Sequence, residues 1–324
     1  MMIVSPRRFL VPVLAGVLCL STAWGLTGCQ KKMPGRLDGL YSSDTASDGI
    51  SSLHTSDTED GTSSPSDAEK TACPVPPFQA GSYDMESAAA YEHLLLSGSE
   101  IRARIAISQT YNYRIRLTVS KNGNMTAVYT FTRIRTSYED SQTYTTDTSD
   151  KKGRTEENAP YYDLIGQSFT VRVSKDYRLS ISGVDKIHQK YPDTADIVTD
   201  ENLLEVASDL FYPIEGELSV GSAWKRTQNG VTNTYTVSKI RDETVTVNIK
   251  GGKLTVPDPV TNNDITYTYR QCAPLSGSVV MDRHNRMIQE QSSYQSNTGD
   301  AAYNGAAYAF EEASSSLCSI VKAS

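Results

Sequence analysis

In the stretch IRARIAI, Ile101, Ala103, Ile105 and Ile107 fall on one face of an extended chain and Arg102 and Arg104 on the other. That period of two is the mark of a half-buried β-strand. The same alternation predicts strands over 101–109, 111–120, 125–135, 168–174 and 177–182, then over 231–240, 243–250, 265–272, 277–281, 287–294 and parts of 306–321. Between the second and third of these, Lys121-Asn122-Gly123-Asn124 carries the Asn-Gly pair that accepts positive φ in a tight hairpin. One segment changes period. Over 194–211, Leu203, Leu204, Ala207, Leu210 and Phe211 recur at three-and-four spacing behind the capping candidates Thr199 and Asp200, which predicts an amphipathic helix ending before Pro213. A shorter helical turn is expected at 184–190, and 85–96 suits helix or strand. The predicted fold class is mainly β, an antiparallel curved sheet forming a half-barrel or a sandwich, with one or two packed helices (α+β).

The start of the chain has a different pattern. Arg7 and Arg8 precede an apolar run from Phe9 to Leu20, the order of a secretory signal. With its tail the run reaches about 18 residues and is broken by Pro12 and Gly16, short of the roughly 20 apolar residues of a spanning helix. It ends in Leu26-Thr27-Gly28-Cys29. These four residues resemble the lipobox of bacterial lipoproteins, in which the cysteine thiol takes a diacylglyceryl group and the chain is cut before it. The resemblance implies that residues 1–28 are a signal peptide, that Cys29 is a lipidated membrane tether, and that its sulfur has no redox role. Acyl chains contribute about 0.8 kcal/mol per buried methylene, so two or three of them anchor stably. In that family an aspartate after the cysteine is the usual inner-membrane signal. Gln30 stands there instead, which leans the expectation toward the outer membrane.

Residues 29–75 comprise this cysteine and a Ser-, Thr- and Asp-rich stretch too poor in apolar residues to offset the entropy of ordering, hence an expected disordered stalk. A flexible coil of that length spans roughly 35 Å and stretches to about 140 Å. Residues 76–324 are then one β-rich globular domain. Removing residues 1–28, which hold two arginines and no acid, takes the formal charge from −7 to −7 − 2 = −9. Nucleic acid is an unsuitable partner for such a chain. Export to an oxidising compartment permits a disulfide among Cys73, Cys272 and Cys318, and Cys272 with Cys318 is the expected pair, with a Cys73 pairing left open.

The segments DLIGQSFTVRVSKDYRLSISGVDKI, YPIEGELSVGSAWKR and SGSVVMDRHNRMI resemble three successive signatures of an uncharacterised exported bacterial family, catalogued as a domain of unknown function. The likeness covers 98–294. Lys175-Asp176-Tyr177 stands where members tend to have a glycine turn, and Ser222 where an aspartate is common. The resemblance implies an exported β-rich domain and carries no catalytic residue.

Direct signs of chemistry are few. Ser222 and Lys225 fit the S-x-x-K spacing, but the S-D-N and K-T-G elements of that chemistry are missing. His54, His93, His188 and His284 are scattered without metal-ligand spacing. Glu311 and Glu312, like Asp200 and Glu201, are adjacent and so diverge on a strand or helix. No catalytic residue, metal or cofactor is expected, and the chain is read as a non-enzyme. The exception is R-x-R three times over, Arg102/Arg104, Arg114/Arg116 and Arg133/Arg135, on successive predicted strands. Aligned, these form a candidate patch for a phosphate or carboxylate.

The expected function is a lipid-anchored cell-envelope protein presenting a β-rich structural or interaction domain. The alternative is a carrier or binding protein for a lipid or other hydrophobic or anionic ligand, with the sheet and the 194–211 helix enclosing an apolar cavity. The expected partners are the membrane, through the anchor, and another envelope protein or a lipid. Cys29→Ala should move the protein from the membrane fraction to the soluble fraction; persistence of the variant in the membrane fraction would refute the anchor.

Overall fold

The computed structural model describes residues 73–323 apart from 75, 141, 209, 212, 213, 215, 216, 229, 230, 263 and 264. Leu26, Thr27, Gly28 and Cys29 therefore lie outside the described residues. A two-residue strand β1 (Cys73–Pro74) later pairs with β8 (Glu217–Leu218). The body begins with three long strands, β2 (Gly81–Ser97), β3 (Glu100–Val119) and β4 (Met125–Glu139), then β5 (Thr143–Asp147), helix α1 (Ala159–Leu164), β6 (Ser168–Val173) and β7 (Leu179–Ser182). Helices α2 (Val184–Lys190) and α3 (Asp200–Ser208) precede β9 (Ala223–Gln228), β10 (Val231–Ile240), β11 (Thr244–Lys250), β12 (Val260–Asn262), β13 (Ile265–Cys272) and β14 (Ser276–Asp282). Two further long strands, β15 (Ile288–Tyr303) and β16 (Ala306–Lys322), close the chain.

Fourteen of the strands form one antiparallel sheet, eleven along the path 7-6-4-3-2-16-15-14-11-10-9, with β5 beside β4, β13 beside β15 and β12 beside β13. It is curved and does not close. The long central strands outrun their neighbours, so each outer position is shared by two short strands. β4 pairs with β6 through Met125–Thr130 and with β5 through Arg135–Glu139; β15 pairs with β14 through its first half and with β13 through its second. Segments expected as two strands, 101–109 and 111–120, are one strand, because Thr110 is a good β residue and no turn residue interrupts it. Residues 85–96 are strand. The Asn122-Gly123 hairpin forms, with Gly123 at φ 85° and Ser120 N–H donating to Asn124 O at 2.8 Å.

Alternation then fixes the core. Inward side chains at one end of the sheet are apolar: Met85, Tyr113, Ile115, Leu117, Tyr129, Phe131, Phe169, Val171, Val247 and Val279 are each at most 2% exposed. The helices lie over this end. α3 begins where Thr199 Oγ1 accepts from Asn202 N–H at 3.2 Å, so the predicted capping residue is used, and the helix is nine residues, shorter than the 194–211 pattern. Its Leu203 and Ala207, with Leu210 beyond it, are 0–1% exposed in the core. These side chains fill space against the sheet, so the apolar face of the helix is spent on packing.

The same rim is tied across. Arg286, in the β14–β15 turn, donates to Tyr177 Oη at 2.6 Å in the β6–β7 turn and to Ile214 O at 2.8 Å. Its guanidinium lies 4.8 Å from the centre of the Phe78 ring, which meets Phe211 edge-on at 5.4 Å.

The expected Cys272–Cys318 disulfide is absent. Cys272 stands opposite Asn297 and Cys318 opposite Gln291 on β15, and those partners are six positions apart, about 20 Å at 3.3 Å per residue. A disulfide needs Cα atoms within about 7 Å. Cys73, Cys272 and Cys318 all stand unbridged.

Leu203→Ala should cost about 2–5 kcal/mol of unfolding free energy, since the site is fully enclosed. Ile101→Ala, at a side chain 55% exposed, should stay within about 0.5 kcal/mol. Chemical denaturation of both variants checks the contrast.

Candidate functional site

Away from the helices the inward face changes character. On β15 the inward positions Gln291, Ser293, Gln295 and Asn297 are all polar and each 2–6% exposed, while the outward Tyr294 is 50% exposed. Their neighbours on β16 are Cys318, Ser316, Ser314 and Glu312, and on β2 the row continues through Ser87, Ala89, Tyr91 and His93. Gln109 of β3, 2% exposed, faces Ala89. This polar band sits between the helix-covered core and a second apolar cluster, in which Ile107 packs with Ala89, Tyr91, Ile105 and Tyr138.

The band is organised around one carboxylate. Glu312 is 8% exposed and accepts from Tyr91 Oη at 3.2 Å, Tyr269 Oη at 3.4 Å and Asn297 Nδ2 at 3.4 Å. His93, 7% exposed, places Nδ1 3.2 Å from the same carboxylate. A carboxylate facing Nδ1 requires the proton there, which leaves Nε2 as the acceptor in the neutral ring. The imidazole lies between two rings, stacked on Phe310 at 5.8 Å and edge-on to Tyr267 at 5.5 Å. Burial first, and the Glu312 charge second, push the Tyr91, Tyr267 and Tyr269 phenols upward, so Tyr91 and Tyr269 keep the protons they donate to Glu312. The same two causes raise the Cys272 thiol, which makes it a poor nucleophile. Gly299 opens the space for this cluster: a Cβ there would meet Thr268 O at 2.3 Å and the Phe310 ring at 2.4 Å.

Several buried polar atoms of the band have no hydrogen-bond partner among the described residues: His93 Nε2, both amide atoms of Gln109, Gln295 Nε2 and Asn297 Oδ1. Native interiors rarely tolerate such groups, each of which costs about 1–3 kcal/mol when left unmade.

The sequence-predicted arginines lie on the opposite face. A bulge at Thr132 between the Asn112–Arg133 and Tyr113–Phe131 pairs resets the alternation, so Arg133 and Arg135 share the outward face with Arg104, Arg114 and Arg116. The six nonetheless do not gather into one patch: 101–109 and 111–120 being one strand, Arg104 and Arg114 stand ten positions apart on β3, about 33 Å at 3.3 Å per residue, and most of the six carry their own counterions. Arg104 bridges Glu92 and Glu139 at 2.7 and 2.6 Å, Arg114 meets Asp84 at 2.9 Å, Arg133 meets Asp147 at 3.0 Å, and Arg135 meets Glu86 at 2.9 Å. Arg102, near the β2–β3 turn, pairs with Glu100 at 2.9 Å. Arg116 is the one of the six without a carboxylate among the described residues. Ser222 Oγ accepts from Ser219 N–H at 3.0 Å in a turn, and Lys225 lies on the strand beyond, so the S-x-x-K spacing does not become a nucleophile–base pair.

His93 and Glu312 escaped the sequence reading because they are 219 positions apart. The legible signal was the period-two run Gln291, Ser293, Gln295, Asn297, a strand whose polar phase is the buried one. Among the described residues no group of three or more His, Cys, Asp or Glu is placed to hold a metal ion, and no helix is long and apolar enough to cross a membrane.

No family model matches the chain, and no curated protein does. Among solved structures, one of lipovitellin, described for its lipid–protein interactions, is similar at a TM-score of 0.44 and 13% identity over 76% of this chain and 26% of that one. This chain thus matches about a quarter of the lipovitellin chain's length, and a likeness at that score decides nothing about ligand.

The Arg133 guanidinium, followed by Ser149, holds the Asp147 carboxyl below its usual range. A carboxyl depressed in the folded state stabilises above its unfolded pKa of about 3.9 and loses that contribution as pH falls through the folded value. Because both side chains are about two-fifths exposed, the pair is worth less than about 1 kcal/mol. Asp147→Asn should therefore lower the urea midpoint slightly at pH 7, with the difference shrinking progressively below about pH 4.

Proposed function

We propose that this protein is a lipid-anchored cell-envelope protein whose curved sheet binds an amphipathic ligand on its inner face. The anchor is Cys29, on the strength of the Leu26-Thr27-Gly28-Cys29 sequence. The binding surface is the half of the inner face away from the helices. There the apolar cluster of Ile105, Ile107, Tyr91 and Tyr138 lies beside the polar band, so hydrocarbon and head group each meet a matching surface. One observation carries the reading: a strand that turns four successive polar side chains inward, next to buried amides without protein partners. A purely structural sheet gains nothing from that arrangement, and conflicts of this kind between local chemistry and burial concentrate at functional sites.

A second reading, the interaction module, is favoured by the outward face. There β2, β3 and β16 form an open hollow of about 350 Å³, floored by Ala90, Ala106 and Ala313 and walled by Arg104 and Tyr294. Co-purification of a stoichiometric protein partner that is lost on Ala106→Arg substitution would select this reading.

The binding reading is tested by native mass spectrometry of the mature protein after incubation with envelope lipid extract. The expected result is an added lipid-sized mass that disappears on unfolding. A bare chain mass, with no adduct at any lipid concentration, would overturn it.

A further inference from the structure

The inward band also constrains the chemistry of the head group, on the premise that the inner face binds a ligand at all. The groups without protein partners are of both kinds. Gln109 and Gln295 offer amide N–H donors, whereas Asn297 Oδ1 and Gln109 Oε1 offer acceptors. A phosphate only accepts and an ammonium only donates, but a hydroxyl does both. The second constraint is charge. Across the inward positions of β2, β3, β15 and β16 from Ser87 to His93 and their register partners, there is no Lys or Arg, and the single acid, Glu312, already accepts from four side chains. On β3 and β4, Arg104, Arg114, Arg116, Arg133 and Arg135, which would fork onto a phosphate or carboxylate, project from the other side of the sheet. The third constraint is the row of rings, Tyr267, His93 and Phe310, which adds flat apolar surface beside the amides.

We propose that the band formed by His93, Gln109, Gln295, Asn297 and Glu312 binds a neutral, polyhydroxylated group, a sugar ring, carried by a glycolipid or by a free glycan. Glu312 acts as a positioning residue. It holds the His93 ring through Nδ1 and so aims Nε2 toward the ligand.

The test uses the mature protein with three defined probes in native mass spectrometry: monoglucosyl diacylglycerol, phosphatidylglycerol with the same acyl chains, and maltotriose. The variants are Gln295→Leu and Asn297→Leu. Gln295→Leu replaces an amide whose Nε2 has no partner among the described residues with an apolar group of similar size, so it should leave the unfolding temperature unchanged or raised, whereas Asn297→Leu also takes a donor from Glu312 and should lower it. Each should also weaken the sugar-bearing probe about tenfold or more. Retention of the glucosyl lipid at lower concentration than phosphatidylglycerol, lost in the variants, supports the proposal with a glycolipid as source. Maltotriose held as tightly as the glucosyl lipid, and lost in the variants, supports it with a free glycan as source. Equal retention of both lipids by wild type and variants alike overturns the sugar proposal and leaves the lipid-binding reading standing. Retention of no probe overturns both.

Discussion

A β-strand has two faces and no third, and the whole molecule is organised by that limit. β2, β3, β15 and β16 are each sixteen residues or longer and run side by side in unbroken antiparallel register over most of their length. A slip of one position would exchange every inward side chain for an outward one. Tyr113, Met85 and Ile320 would then meet water, and Asp84, Arg114 and Val321 would meet the helices. The burial of the apolar end therefore fixes the register, and the register carries that decision along the strands to the polar end, where apolar burial no longer enforces it. The buried amides are held inward by a stability generated elsewhere in the same strands.

Two bulges show the same economy. The one at Leu95/Leu96 lies just past His93, and the one at Thr132 precedes Ile134. Each absorbs a residue that would otherwise invert the strand beyond it. Without the second, Arg133 and Arg135 would point into the core. With it, they join Asp147 and Glu86 on the outer surface and leave Ile134 inside, fully buried. The arginines of β3 and β4 are in this way sorted to the outer side of the sheet.

Much of this was legible from residue order. The alternation in 101–107 and 125–135, the Asn-Gly turn and the three-and-four spacing around Leu203 are local patterns, and local backbone geometry answers to them. The helix was over-extended because its apolar spacing continues through Leu210 and Phe211, which pack in the core from beyond its end. The disulfide failed for another reason: its two cysteines lie on strands that flank β15 from opposite sides, at positions set by topology and register, which composition does not report. The same applies to the candidate site. Glu312 is one of an adjacent pair of acids, and the divergence expected of the pair is real, with Glu311 outward and Glu312 inward. What residue order lacks is the knowledge that β16 lies between β2 and β15, and only that adjacency brings His93, Glu312 and Asn297 into one row.

The Arg286 tie has a mechanical meaning. It joins the β14–β15 turn to the β6–β7 turn, which belong to opposite flanks of the sheet, and it does so at the rim where the helices and Phe78 are packed. A curved sheet pinned at one rim behaves like a spring clip. Bending that changes its curvature is resisted where the flanks are joined and is accommodated at the other rim, where the β2–β3 and β15–β16 turns stand at Gly98 and Gly305. The polar band lies between the two, close enough to the pinned end to keep its register and far enough from it to widen.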